Sequence, residues 1–382
     1  MGPPHPPVWL EPPGSPCPGG RNVSPDKRFR TLSELEDLAE RVLPPGVREY
    51  VQGGSEVERT IRANREAFGR HFLLPRVLVD VREVRTETKF LGRKAAQPFF
   101  IAPTAYQTLV HPEGERAMAR GAAANGVLLG VSTLSNFSLE DVSEAAPGGE
   151  RWFQLYVHPD RQVTENLVHR AERAHYRALV LTVDVPVLGT RDRQEEADFH
   201  LDPSMPLGNL DPEVPPHRSG PLSQREHAED RIDPSLTWEI LPWLQKRCGL
   251  PLLVKGILSP PEARRALDAG AAGVIVSNHG GRQLDGAPAT LEALPGVVRA
   301  MGDEGEVYLD GGVRRGSDVL LALALGARGV GLGRPPLWAL AAGGAEGVQR
   351  WAGLLREEFR HALALTGCRE VKDVGPQLLF QK

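Results

Sequence analysis

Eight short apolar runs, at residues 99–105, 127–133, 152–157, 178–185, 252–257, 274–279, 307–312 and 330–334, recur through the chain with amphipathic stretches between them. The runs are rich in β-branched and aliphatic residues and bounded by Gly or Pro, the pattern of strands buried on both faces. Stretches such as 160–174 and 260–269 instead carry apolar residues at helical spacing. Eight strand–helix units predict an α/β fold, a closed TIM (β/α)8 barrel in which every strand edge is paired. An open doubly wound sheet is the alternative, but no dinucleotide-type glycine fingerprint follows an early strand.

Two segments stand outside the alternation. Residues 1–28 are rich in Pro and Gly and read as a flexible tail, leaving 29–382 as the barrel domain. Its first part, 31–68, has apolar residues at helical spacing, with Thr31 as cap and Glu34 closing a capping box. Residues 186–235 are rich in Pro, Asp, Arg and Ser and show little periodicity. So long a connection after the fourth strand reads as a lid-like loop on the face where barrel enzymes carry their chemistry.

Composition excludes several roles. A net charge of -4 leaves no electrostatic footprint for nucleic acid. Cys17, Cys248 and Cys368 are scattered, without metal-ligand spacing, and read as reduced thiols of a cytoplasmic protein. No run approaches the roughly 20 apolar residues of a membrane span, and the N-terminus has neither a secretory nor a transit pattern.

In a barrel the C-terminal strand ends converge on one mouth, and here they carry the polar residues. The first four ends supply Pro103, Thr104 and Ala105; Ser132 and Thr133; Gln154 and Tyr156; then Thr182 and Asp184, with Gly189 and Arg191 beyond. The other four supply Lys255; Ser277 and His279; Asp310, Gly311 and Gly312; and Gly333 with Arg334. The stretch SNHGGRQLD, 277–285, sets a proton acceptor, His279, close to a fixed cation, Arg282. Its glycines permit a sharp turn and close approach to a ligand, and the pair suits proton removal from a substrate held by its carboxylate. A surface loop that happens to carry His and Arg is the bland alternative for this stretch alone. Asp310-Gly311-Gly312-Val313-Arg314 and Gly331-Leu332-Gly333-Arg334 read as a phosphate cradle after the last two strands. Glycines that merely fit tight turns are the alternative there. Lys255, Gln154, Thr182 and Ser132 can hydrogen-bond a planar heterocycle, which favours a cofactor as the owner of the phosphate.

These residues resemble the FMN-dependent α-hydroxy-acid oxidase family, of the glycolate oxidase and lactate oxidase type. SNHGGRQLD, LDGGVRRG, LVKGI, FQLYV, LTVDVP and APTA occur in the family's order, and the resemblance runs from about 31 to 367. It implies FMN as cofactor and His279 as general base, with Asp184 holding the imidazole and raising its basicity. Arg282 and Arg191 would grip the substrate carboxylate, and Tyr50 and Tyr156 would hydrogen-bond carboxylate or hydroxyl. Lys255 would face the flavin N1–C2 carbonyl. Ala102, Pro103, Thr104, Ala105, Ser132, Gln154, Tyr156, Thr182 and Ser277 would line the ring and ribityl chain. Asp310, Gly311, Gly312, Val313, Arg314, Gly333 and Arg334 would hold the ribityl and phosphate groups.

The expected reaction is oxidation of an (S)-2-hydroxy acid to the 2-oxo acid, with oxygen reduced to hydrogen peroxide. The alternatives are a glycolate oxidase, a soluble dehydrogenase passing electrons to a quinone or protein, and a flavin-binding protein without turnover. Ala105 resembles the oxidases, since dehydrogenases tend to carry Gly there. Leu134 stands where glycolate oxidases place a Trp; the lost indole enlarges the pocket and favours lactate or a longer aliphatic acid. Tyr106 is a further departure. The resemblance also implies a homo-oligomer, a tetramer, with no membrane or nucleic-acid partner.

Overall fold

Each of the eight apolar runs forms a strand in the computed structural model of the protein, which describes residues 29–202, 204–210 and 231–380. The expected tail, 1–28, and the middle of the expected lid, 211–230, lie outside the described residues. A short antiparallel hairpin comes first, β1 (Thr88–Phe90) and β2 (Arg93–Ala95). The runs then give β3 (Phe99–Ile101), β4 (Leu128–Ser132), β5 (Arg151–Leu155), β6 (Leu179–Thr182), β7 (Leu252–Ile257), β8 (Gly273–Val276), β9 (Glu306–Asp310) and β10 (Gly329–Leu332). Among the described residues they close as a parallel barrel, with β10 pairing β3. Most strands stop earlier than their apolar runs. Pro103 has no N–H to extend the β3 ladder. Beyond β8, His279, Gly280 and Gly281 are all left-handed, with φ of 57°, 64° and 76°, which no strand tolerates.

Strand periodicity divides the side chains into two cores. Phe100, Trp152, Val180, Leu253, Ile275 and Tyr308 pack together inside the barrel, while their neighbours Phe99, Ile101, Phe153, Leu181 and Val254 belong to the apolar layer shared with the helices. Phe90 enters the inner cluster from the hairpin, edge-on to Phe100 and Tyr308 with centroids 6.2 Å and 5.3 Å away. The hairpin, which the alternation of runs does not reveal, thus closes the bottom of the barrel. Its turn has Leu91 and Gly92 at φ of 48° and 75°, positive at both central positions as a tight hairpin requires.

Three N-terminal helices, Ser33–Val42, Pro45–Gln52 and Arg59–Gly69, occupy the region expected to be helical. The first begins later than expected, with Leu32 rather than Thr31 in the cap position and no side-chain cap. Thr31 Oγ1 instead bonds Glu34 Oε1 at 3.2 Å, and Glu34 Oε2 accepts the Arg30 N–H at 2.8 Å. The helix Arg59–Gly69 crosses the barrel's functional end. Asn64 and Asn278 exchange side-chain amide hydrogen bonds at 2.8 Å and 2.9 Å, and Asn64 Oδ1 also accepts the Thr290 N–H. The backbone approach is so close that a Cβ on Gly312 would lie 2.2 Å from the Asn64 carbonyl oxygen, and one on Gly281 2.6 Å from the Ile61 nitrogen. Part of what looks like a ligand-driven glycine requirement is therefore the seat of a helix.

The described parts of the expected lid are packed down on the barrel. They include the short helix Asp192–Glu196, and Leu201, Asn209 and Ile232 are buried. Tyr50 stacks on Phe199 with ring centroids 5.6 Å apart. The helix Arg334–Leu365 finishes the barrel and kinks at Gly343 and Gly344. Among the described residues no helix is long and apolar enough to cross a membrane.

Gly312→Ala should destabilise the protein by at least about 1–3 kcal/mol, the usual range for overpacking, with left-handed strain added. Denaturant titration measures this; an unchanged midpoint would show that helix and loop are not in the described contact.

Candidate active site

The strand parity that fills the barrel also builds the site. Gln154, Thr182, Lys255, Ser277 and Asp310 each follow an inward-facing core residue by two positions, so their side chains stack above Trp152, Val180, Leu253, Ile275 and Tyr308 on the same inner face. With the loops above them they enclose a cleft of about 1160 Å³, including its solvent-filled mouth. Every residue expected at the site borders this cleft except Asp184 and Ser277. Both stand just behind it. Ser277, expected to line the ring site, has a hydroxyl oxygen that accepts from Lys255 Nζ and the His279 N–H, each at 3.0 Å.

His279 Nδ1 lies 3.0 Å from Asp184 Oδ1. The carboxylate accepts a hydrogen bond from Nδ1–H, which fixes the tautomer and leaves the Nε2 lone pair for a substrate proton. Burial lowers the imidazole pKa below its ordinary value; Asp184 raises it but does not outweigh the burial. Asp184 thus raises the basicity of the imidazole, as expected, within a net lowering that burial dominates. The free site holds a neutral base, ready to accept. Gln283 Nε2 donates to the carbonyls of Asp184 and Val187 at 2.8 Å and 2.9 Å, pinning the Asp184 segment to the His279 loop.

Arg191 is buried and Arg282 half-buried, and among the described residues neither forms an ion pair. Arg191 Nε and Nη1 have no hydrogen-bond partner among the described residues. Burial, with Arg282 close by, holds its pKa well below the ordinary value. Arg282 commits Nη1 to the carbonyls of Tyr50 and Gly53, at 2.7 Å and 2.9 Å, and sits over the Tyr50 ring at 5.2 Å. Two guanidinium groups beside one cleft form an incomplete arrangement that a carboxylate completes. Tyr50 and Tyr156 also border the cleft, and burial raises both phenol pKa values, so both hydroxyls remain donors. The Tyr50 hydroxyl lies 3.3 Å from the Ala105 carbonyl oxygen.

Deeper in the cleft lies a polar cradle with unmet bonding capacity. Gln154 Nε2, Thr182 Oγ1, Asp310 Oδ1 and Arg314 Nε are buried without hydrogen-bond partners among the described residues. Lys255 Nζ lies 3.6 Å from Asp310 Oδ2; burial works against its charge, but Asp310 and Asp184 outweigh it and keep the ammonium protonated. Burial pushes Arg314 down to about 10, so it too stays charged with no anion against Nε. Donors and acceptors low in the barrel, a lysine, and a glycine loop ending in a buried arginine match a flavin ring, a polyol and a phosphate in turn. Arg334 borders the cleft but spends its fork on the carbonyls of Val51, Gly53 and Gly280, each at 3.0 Å, tying the helix Pro45–Gln52 to the His279 loop.

Leu134 lies in an otherwise apolar wall with Val185, Leu188, Ile232 and the ring of Tyr106. Ile232 follows a long aperiodic stretch, so no sequence pattern marks it. Asn278 and Gln283 were open to inspection within SNHGGRQLD, but their roles depend on partners more than 90 residues away, Asn64 and Asp184.

The sequence profile of a family described as FMN-dependent dehydrogenase matches residues 39–381. An L-lactate oxidase from Nostoc sp. is 46% identical over 354 residues, covering 91% of this chain and 97% of the relative. The glycolate oxidase of Spinacia oleracea is 45% identical over 353 residues, covering 90% and 94%. A solved structure of mandelate oxidase with (S)-4-hydroxymandelic acid superposes with a TM-score of 0.86 at 44% identity, covering 93% of this chain and 99% of that one.

His279 must be unprotonated to act as a base, so kcat/KM should rise with pH through a pKa below the ordinary histidine value and then level off. In Asp184→Asn the rate should fall and the acid limb should move lower still, because the carboxylate is what raises the imidazole pKa. A steady-state pH profile checks both; an acid limb above the ordinary value would contradict the assignment.

Proposed function

The chain belongs to the FMN-dependent dehydrogenase family, and on that premise we propose that it oxidises an (S)-2-hydroxy acid to the 2-oxo acid. The substrate gives up two electrons and two protons, and oxygen receives them to become hydrogen peroxide. The observation that carries this reading is the pair Arg191 and Arg282, without an ion-pair partner among the described residues, bordering the same cleft as His279, whose Nδ1 is held by Asp184.

FMN, when bound, supplies the two-electron acceptor. Ala102, Pro103, Thr104, Ala105, Ser132, Gln154, Thr182 and Lys255 would hold its ring and ribityl chain, and the Asp310–Arg314 loop with Gly333 and Arg334 would hold its phosphate. Arg191 and Arg282 bind the substrate carboxylate and fix its orientation. Tyr50 and Tyr156 donate hydrogen bonds to carboxylate or hydroxyl. His279 Nε2 takes a proton from the substrate, and Asp184 stabilises the imidazolium that results. General-base assistance of this kind is worth about 10²–10⁴-fold.

The apolar wall of Leu134, Val185, Leu188 and Ile232 supports lactate or a longer aliphatic 2-hydroxy acid over glycolate. Ala105 supports oxygen as the acceptor over a quinone or a protein. A cytoplasmic homo-oligomer, a tetramer, completes the reading, and the family resemblance supports it.

Steady-state rates over a panel of 2-hydroxy acids, with peroxide measured alongside, test this reading. Lactate or 2-hydroxybutanoate should exceed glycolate in kcat/KM, since one methylene in such a pocket is worth about 10–200-fold. Leu134→Trp should narrow or reverse that order. A clear preference of the native protein for glycolate would overturn the substrate assignment, and turnover without peroxide the oxidase assignment.

A further inference from the structure

We propose that Asn209, in the long connection between β6 and β7, is a positioning residue that sets the substrate chain-length selectivity of the cleft. Its side chain touches neither the cleft nor the expected cofactor residues' side chains; it acts through the backbone that carries Leu134. The proposal rests on the 2-hydroxy-acid reading for its substrate and on the geometry around Asn209 for its substance.

Asn209 is buried, unusual for a residue in an aperiodic connection. Its Nδ2 lies 3.0 Å from the Ser132 carbonyl oxygen, 3.2 Å from that of Thr133 and 2.8 Å from Ser135 Oγ. Two N–H bonds thus serve three acceptors, with one shared. Its Oδ1 accepts the Leu139 N–H at 2.7 Å, and its own carbonyl accepts from Arg170 Nη1 at 2.7 Å. Next to it, the Gly208 N–H donates to the Ser135 carbonyl at 3.1 Å. A Cβ on Gly208 would lie 2.2 Å from the Ser138 nitrogen, so the two backbones are in direct contact. Asn136 Nδ2 adds a bond back to the Pro206 carbonyl at 3.0 Å.

The bonded positions, Ser132, Thr133 and Ser135, flank Leu134 on both sides. Leu134 itself donates its N–H to Ser132 Oγ at 3.1 Å and accepts from the Tyr106 N–H at 3.2 Å. The clamp therefore fixes the turn from which Leu134 forms the apolar wall, and through that turn the backbone of Tyr106. Without the amide, the Thr133 carbonyl and the Leu139 N–H lose the partner that Asn209 gives them, while the Ser132 carbonyl keeps the Ser135 N–H and Ser135 Oγ keeps the Phe137 carbonyl, and the turn shifts to recover the lost bonds. A displacement there alters the room beside the substrate's alkyl chain while leaving His279, Asp184, Arg191 and Arg282 in place.

The test uses the flavin-loaded protein and three variants: Asn209→Ala, Asn209→Asp (which keeps an acceptor for the Leu139 N–H but loses both donors) and Ser135→Ala, which removes one acceptor of the clamp together with the bond from Ser135 Oγ to the Phe137 carbonyl. Two ratios are measured between lactate and 2-hydroxyhexanoate or their 2-oxo counterparts. One is the kcat/KM ratio. The other is the ratio of dissociation constants for the 2-oxo acids, read from perturbation of the flavin absorbance without turnover. Asn209→Ala and Asn209→Asp should shift both ratios by roughly tenfold or more, Ser135→Ala by less in the same direction, and the acid limb of the pH profile should stay where it is. Unchanged ratios in the folded variants, or an equal loss on both acids, overturn the proposal. Should both Asn209 variants fail to fold, an unchanged Ser135→Ala ratio overturns it and a shifted one supports it. Should the native protein oxidise neither acid, the functional reading fails, and the binding ratio still decides the clamp.

Discussion

The active end of this barrel is assembled against one helix, Arg59–Gly69. The paired amides of Asn64 and Asn278, with the backbone contacts at Gly281 and Gly312, fasten it to the loop after β8 and the loop after β9. One of those loops carries His279 and Arg282, and the other the phosphate cradle. The left-handed conformation of His279, unlike that of the two glycines after it, is costly backbone, and such strain persists only where the surroundings over-determine it. Here the helix supplies the constraint. Arg334 adds a second tie, from the helix Pro45–Gln52 to the Gly280 carbonyl.

On that scaffold the electrostatics are deliberately incomplete. Among the described residues, Arg191 and Arg314 have buried nitrogens without partners, and Gln154, Thr182 and Asp310 have buried atoms without partners. In a finished core each would cost stability. The proposed function accounts for them together: the lower group would hold a cofactor with a ring and a phosphate, the upper a carboxylate. His279 follows the same logic. Its burial keeps it neutral until a proton arrives, and Asp184 then offsets the charge it gains.

Much of this was legible in the sequence because one rule, the two-residue period of a strand, governs both fold and site. Trp152 predicts a filled barrel interior, and Gln154 and Tyr156, two and four residues on, fall on the same face at its open end. Val180, Thr182 and Asp184 repeat the pattern. Features resting on long-range contacts were not legible. The hairpin Thr88–Ala95 is too short for its periodicity to stand out. Ser277 sits at the right register but turns its hydroxyl to Lys255, a choice only the packed site makes. The long connection reads as a lid because it lacks periodicity, yet Asn209 and Ile232 are anchored by individual contacts that leave no pattern. The glycines of SNHGGRQLD and LDGGVRRG suggest close approach to a ligand and a phosphate cradle, and nothing in the sequence reveals that Gly281 and Gly312 also make room for the helix Arg59–Gly69.

The central claim is that this cleft couples the oxidation of an (S)-2-hydroxy acid to bound FMN through His279. Anaerobic mixing of the flavin-loaded protein with (S)-lactate and with (R)-lactate, followed by admission of air, examines it most directly. The account predicts loss of the oxidised-flavin absorbance with the (S) enantiomer alone, and its return with peroxide when air enters. An absorbance that stays unchanged with every 2-hydroxy acid tried, although FMN is bound, would contradict it.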